Sequence, residues 1–220
     1  MQTPYDRGVW LAGDHHIHTK YSSDGRYEIV EQVRNAAQSG LGFCVITDHG
    51  GPAHQKVVTA AAYRELIEAR RAFPEIIVFQ GLEWNIPSAE HGSIIVPPTA
   101  DEARMIEEFE SRFDDKSRKT PPLGEPDAVA GVSFLQSLPS KPLFFANHPA
   151  RRGLDSPHEL RAWSDAGPEV MRGFEGAPGH SAATMMGERR GHYSDKPSKG
   201  SFAGYPLESY RTFGGYDYYT

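Results

Sequence analysis

Phe43-Cys44-Val45-Ile46-Thr47-Asp48-His49-Gly50-Gly51 reads as a buried strand that ends abruptly in polar residues. A continuous apolar run bounded by a turn signal fits a strand of a sheet layered with helices. A strand that buries Val45 and Ile46 has little reason to end in an imidazole beside a carboxylate unless that end faces a cavity. Gly50 and Gly51 let the backbone turn sharply and leave His49 facing it. The same ending recurs on either side. Gly13 leads into Asp14-His15-His16-Ile17-His18, and the run from Ile76 closes on Glu83 and Trp84, with His91 to Val96 extending that strand. Pro142 to Ala146 closes on Asn147-His148-Pro149, and Glu169 to Glu175 forms a further strand. Helices are expected between them: Glu28–Ser39, Lys56–Phe73 stopped by Pro74, Asp101–Phe113 and Asp127–Leu138. Apolar strands alternating with amphipathic helices predict an α/β fold with parallel strands and its chemistry at their C-terminal ends.

The 220 residues suit one domain, long enough to fold without a disulfide or a structural metal. With 29 acidic residues against 23 Lys and Arg, the net charge of −6 disfavours a large nucleic-acid footprint. No apolar run approaches a membrane span. Cys44 is the sole cysteine, which excludes an internal disulfide framework, and its apolar strand makes it a core residue. Residues 1–7 lack the regions of a signal peptide, so the default expectation is a cytoplasmic protein, or a secreted one if an export signal was removed. Residues 176–220 are loop-rich in Gly, Ser, Pro and Tyr, and the expectation is a chain cut before its fold is complete.

Ten histidines in an acidic chain stand out, and their positions carry the reading. His16 and His18 are two residues apart on a strand end, so they share a face, and His15 alternates to the other. Two imidazoles on one face can hold a metal. Asp24, in Ser22-Ser23-Asp24-Gly25, reads by itself as a turn or cap residue. Glu83 beside Trp84 is either salt-bridged to a helical arginine or on a metal, since an unpaired carboxylate there is costly. His91 and His148 complete the series, and Glu175 either lines the site or orients a neighbour. Arg151 and Arg152, with His180 more weakly, are cationic candidates for binding an anionic group. Each residue alone is ambiguous; the joint order His-x-His, Asp, His, Glu, His, His on successive strand ends is specific.

That order resembles the polymerase and histidinol phosphatase (PHP) superfamily of metal-dependent phosphoesterases. The carrying motifs are His16-Ile17-His18, Ser23-Asp24-Gly25, Thr47-Asp48-His49, Glu83, His91 and Asn147-His148-Pro149, spread over residues 9–175. The resemblance implies a distorted seven-stranded (β/α) barrel, TIM-like, binding two to three divalent ions, zinc, manganese or iron. It implies that His16 and His18 hold a first ion, that Glu83 bridges the first and second, that His91 and His148 complete the second, and that Asp24 and His49 hold a third. Glu83, Asp24 and His49 are then the catalytic set. One departure stands out. The family pattern ends in an Asp-x-His motif, and His158, His180 and His192 lack an Asp two residues before them. A barrel missing its last strand in this chain is therefore expected, through truncation ahead of natural loss.

The implied activity is hydrolysis of a small phosphorylated substrate by hydroxide formed on the metal ions. The alternatives are a proofreading-type exonuclease or nuclease of the same superfamily and a catalytically silent metal-binding domain. No membrane partner is expected, and the residues leave the oligomeric state open.

Overall fold

The computed structural model describes residues 8–118, 120–147 and 157–175. His148, Arg151, Arg152 and His180 lie outside the described residues, as does the segment 176–220 on which the expectation of an incomplete chain rests. The elements run β1 (Gly13–Ile17), α1 (Ile29–Gln38), β2 (Phe43–Ile46), α2 (Ala61–Ala72), β3 (Ile77–Asn85) and β4 (His91–Val96). They continue as α3 (Glu102–Phe113), α4 (Glu125–Ser137), β5 (Leu143–Asn147), α5 (Pro157–Ala166) and β6 (Met171–Glu175). No described helix is long and apolar enough to cross a membrane.

Among the described residues the strands form one six-stranded sheet in sequence order, where the resemblance implies seven for the whole barrel. The sheet is mixed rather than parallel, because β4 runs antiparallel to both β3 and β5 while the other neighbours are parallel. His91–Val96 is thus the return arm of a hairpin and not an extension of β3. The short connection 86–90 cannot hold the crossover that a parallel return needs. The reversal brings His91, the first residue of β4, to the edge where the other five strands end. The sheet curls until its edge strands approach: His16 Nδ1 of β1 lies 3.1 Å from Glu175 Oε2 of β6.

Alternation along the strands separates two faces. Cys44, Ile46 and Val78 pack with Val33, Ala36, Leu66 and Ala69 of α1 and α2. Leu82, Trp84, Ile94, Val96 and Phe144 pack with Ile106, Phe109, Val132, Leu135 and Trp163 of α3, α4 and α5. Trp84 meets Phe109 edge-on at 5.0 Å and Phe144 at 5.6 Å, and its ring N–H donates to the Phe113 carbonyl. The concave face carries the opposite set. Away from the strand ends it is apolar, with a cavity of about 410 Å³ lined by Phe43, Val45, Phe79, Ile95 and Phe145, among others. His15 also lines it, 5.6 Å from the Phe145 ring, because a register shift between Asp14 and Ile17 interrupts the simple alternation.

Two helices differ from the sequence reading. α2 begins at Ala61 rather than Lys56. The preceding segment is held in turns by α3, where Glu110 accepts from the Gly51 N–H (2.7 Å) and pairs with His54 Nδ1 (2.8 Å). α5 was not anticipated, although Pro157 at its start, Glu159 in its first turn and the Leu160/Trp163 spacing are all start and face signals. α1 is closed at its N-terminus by a capping box between Glu28 and Glu31.

Candidate metal centre

The polar end of the concave face gathers His16, His18, Asp24, His49, Glu83 and His91. Glu83 is at its middle, 2% exposed. Its carboxylate lies 3.4 Å from His16 Nε2, 3.1 Å from His18 Nε2, 2.9 Å from His49 Nδ1 and 3.2 Å from His91 Nδ1. The imidazoles form a row, with centroids 4.9 Å apart for His16 and His18, 4.7 Å for His18 and His49, and 4.8 Å for His49 and His91. Asp24, half-exposed on the loop after β1, lies 3.1 Å from His18 Nδ1 and 3.2 Å from His49 Nε2. Burial works against the Asp24 anion, but His18 and His49 outweigh it and lower its pKa.

All of these side chains but Asp24, which the loop after β1 carries, are delivered at or just beyond strand ends. β1 supplies His16 and, one residue beyond, His18. The parallel pairing of β2 and β3 continues as a bridge between His49 and Glu83, with the Glu83 N–H donating to the Asp48 carbonyl and the Gly50 N–H to the Glu83 carbonyl, both at 3.0 Å. On the hairpin, Asn85 is in register with His91 and Glu83 with Ser93. Asn147, at the end of β5, donates from Nδ2 to Glu83 Oε1 (3.1 Å) and accepts at Oδ1 from the Ser93 N–H (3.1 Å), fixing the plane of the carboxylate. In the sequence, Asn147 stands out only as part of the Asn147-His148-Pro149 motif. Glu175 orients a neighbour: the second ring nitrogen of His16 faces its carboxylate, an arrangement common behind metal-bound imidazoles.

The donor set fits divalent cations. Three groups bring ligand atoms within 4.8 Å of one another: His16, His18 and Glu83; His18, Asp24 and His49; His49, Glu83 and His91. Nitrogens and oxygens each about 2.0–2.2 Å from one ion lie roughly 3.3 Å apart, close to the spacings here. His16 Nε2 and His18 Nε2 face each other at 2.9 Å, a contact that places two lone pairs together unless a proton or a cation lies between them. His49 Nδ1 is buried without a hydrogen bond although Glu83 Oε2 is 2.9 Å away, as atoms converging on a shared ion would be. A neutral imidazole offers one lone pair, so His18 and His49 cannot each serve two groups at once.

An α/β half-barrel with imidazoles and carboxylates converging at its strand ends defines a candidate divalent-cation centre. Residues 14–121 match the family model described as PHP domain. No curated protein matches the chain. Among solved structures, a two-domain protein from Bacteroides vulgatus ATCC 8482, containing a predicted PHP-like metal-dependent phosphoesterase, is similar at 20% identity and a TM-score of 0.39. That likeness covers 79% of this chain, and the chain spans 40% of that protein's length. A candidate metal-dependent phosphoesterase from Bifidobacterium adolescentis ATCC 15703 is similar at 18% identity and a TM-score of 0.45, covering 75% of this chain and 77% of that one. An amidohydrolase from Chromobacterium violaceum, with bound sulfate and no metal, is similar at 16% identity and a TM-score of 0.46, covering 74% and 75%.

Proposed function

We propose that the protein is a metal-dependent hydrolase of small phosphoesters. The observation that carries this reading is Glu83, a carboxylate 2% exposed with four imidazoles within 3.4 Å of its oxygens. Assigning each imidazole once gives His16, His18 and Glu83 to one ion, Glu83 and His91 to a second, and Asp24 and His49 to a third. His148 would join the second. Bound ions of this kind neutralise a phosphoryl group and lower the pKa of bound water.

The chain's own residues supply the frame for that chemistry. Glu83 would be shared between two ions and would lower the net charge of the pair. Asn147 holds the carboxylate in one plane, and Glu175 holds His16 in one tautomer and orientation. The net charge of −6 supports a small phosphorylated substrate over a long polyanion. Arg151, Arg152 and His180 are proposed to meet the phosphate.

The test is elemental analysis joined to hydrolysis of a phosphomonoester and phosphodiester panel in zinc, manganese and iron. Glu83→Gln keeps the shape and removes the charge, so turnover should fall at least about 100-fold, roughly 2.7 kcal/mol of barrier. A Glu83→Gln protein with full metal content and near-normal turnover overturns the bridging role. Metal-loaded wild type that leaves the whole panel intact overturns the activity in favour of a silent metal-binding domain. Preferential degradation of single-stranded DNA would favour the nuclease.

A further inference from the structure

We infer that Asp48, Thr19 and Ser22 are positioning residues that preassemble the Asp24–His49 ion site beside His18. None of the three is in a candidate ligand group, and each adjoins a residue that is, in sequence or in space. The inference rests on the proposed metal reading and names the residues that build one part of it.

Asp48 and Thr19 are both buried, at 2% and 0% exposure. Both oxygens of Asp48 are used on one residue: the Thr19 N–H donates to Oδ1 and the Thr19 hydroxyl to Oδ2, each at 2.6 Å. Thr19 follows His18, and Asp48 precedes His49. A short, two-point bond of this kind, from one residue's backbone N–H and hydroxyl to a carboxylate, fixes orientation as well as distance. It therefore sets His18 against His49 across the gap between the ends of β1 and β2. A side chain aimed at solvent or core would not need both oxygens on a single partner.

Thr19 also anchors the loop that carries Asp24. Its carbonyl accepts from the Ser22 N–H at 2.9 Å, and the Ser22 carbonyl from the Gly25 N–H at 3.3 Å. A Cβ on Gly25 would lie 1.9 Å from the Thr19 carbonyl oxygen, so the loop closes on Thr19 only with glycine there. The Ser22 hydroxyl makes the third link. It accepts from the His49 N–H at 2.9 Å and lies 3.0 Å from His18 Nδ1. Thr19 is thus the hub from which His18, Asp24 and His49 all take their positions. Loops that bind ions with few ligands depend on such prior ordering, because otherwise binding must order them.

The experiment titrates the full chain, freed of metal, with Co²⁺ and follows its visible absorption. Asp24→Ala identifies the ion that this site holds. Asp48→Ala should weaken that same ion tenfold or more, the size usual for loss of a residue supporting a ligand. In the Asp24→Ala background it should cost nothing further, and Asp48→Asn, which keeps one acceptor, should restore part of the loss. Melting of the metal-free variants reads general loss of fold separately. If Asp48→Ala does not fold, Ser22→Ala, which deletes one link only, should show a severalfold loss of the same ion. Co²⁺ bound by wild type with unchanged affinity in folded Asp48→Ala overturns the inference alone, as does an equal loss in the Asp24→Ala background. Wild type that takes up no Co²⁺ overturns the metal reading and this inference together.

Discussion

His16 shows how one residue can serve a proton or an ion, but not both. Burial disfavours its charged form, yet the hydrogen bonds to Glu175 and Glu83 outweigh burial and raise it from 6.5 to about 10. In the metal-free chain the proton on His16 competes with an ion for the same ring nitrogen. A raised histidine stabilises the fold fully below its unfolded pKa near 6.5, and that contribution is lost as pH rises through about 10. Urea unfolding of the metal-free chain should therefore show stability declining from pH 6.5 to 10, and His16→Gln should flatten that limb. Ion uptake works in the opposite direction, since the ligand nitrogen must be deprotonated. Calorimetric titration at pH 7 in buffers of different ionisation enthalpy should detect release of about one proton per first ion bound. Uptake with no proton release would mean that His16 is not a ligand. Cys44 is a contrast within the same sheet: it is buried, its thiol pushed up to about 12 by desolvation, and it belongs to the core as the sequence indicated.

At the scale of elements, the hairpin of β3 and β4 carries both Glu83 and His91, and its two backbones crowd together at Gly81. A Cβ there would lie 2.7 Å from the Ile94 carbonyl and 2.9 Å from both Thr47 Cγ2 and Val45 Cγ1. Gly81→Ala must push β4 from β3 or bend β2, a form of overpacking that costs about 1–3 kcal/mol. Chemical denaturation should show a loss of that size, and a change within about 0.5 kcal/mol, the ordinary range for an innocuous surface substitution, would mean that the strands are not so closely set. The hairpin also marks where sequence reading stopped. Strand ends were legible because apolar runs give way to His, Asp or Glu, as at Val45-Ile46-Thr47-Asp48-His49. The reversal at Ile86–Glu90 was not, since a strand buried on both faces shows the same apolar run in either direction. The start of α2 was missed for a related reason. Val57 and Val58 continue the apolar stripe, while the tethers from Glu110 that hold residues 51–54 in turns come from more than 50 positions away. His15 could not be placed from period two because the register shift in β1 leaves no trace in residue type. Asn147, hydrogen-bonded to Glu83, carries no spacing signal of its own, whereas Glu175 is legible as a strand-end residue that orients a neighbour.

For the whole molecule, the candidate ligands tie together elements that also meet through strand pairing and the two helix-packed cores. His16 and His18 come from β1, Asp24 from the loop that follows it, His49 from the end of β2, Glu83 from β3 and His91 from β4. His16 also reaches across to Glu175 at the opposite edge of the sheet. An ion held by such a set binds the folded chain and has no comparable site on the unfolded one, so it must stabilise the fold by mass action. At free ion a hundredfold above its Kd, the gain is about 2.7 kcal/mol. For a chain of this length that corresponds to roughly 5–10 °C in melting temperature. Dialysis against a chelator should lower the midpoint by that amount, and returning zinc or manganese should restore it. The shift should be largest in wild type, smaller in His91→Ala, and smallest in Glu83→Gln, because Glu83 alone contacts the residues of two ion groups through both oxygens. A generic effect of divalent ions on an acidic surface would persist unchanged in Glu83→Gln and would grow steadily with ion concentration instead of saturating. Saturation in wild type together with its loss in Glu83→Gln therefore assigns the stabilisation to the buried centre, and persistence in both assigns it elsewhere.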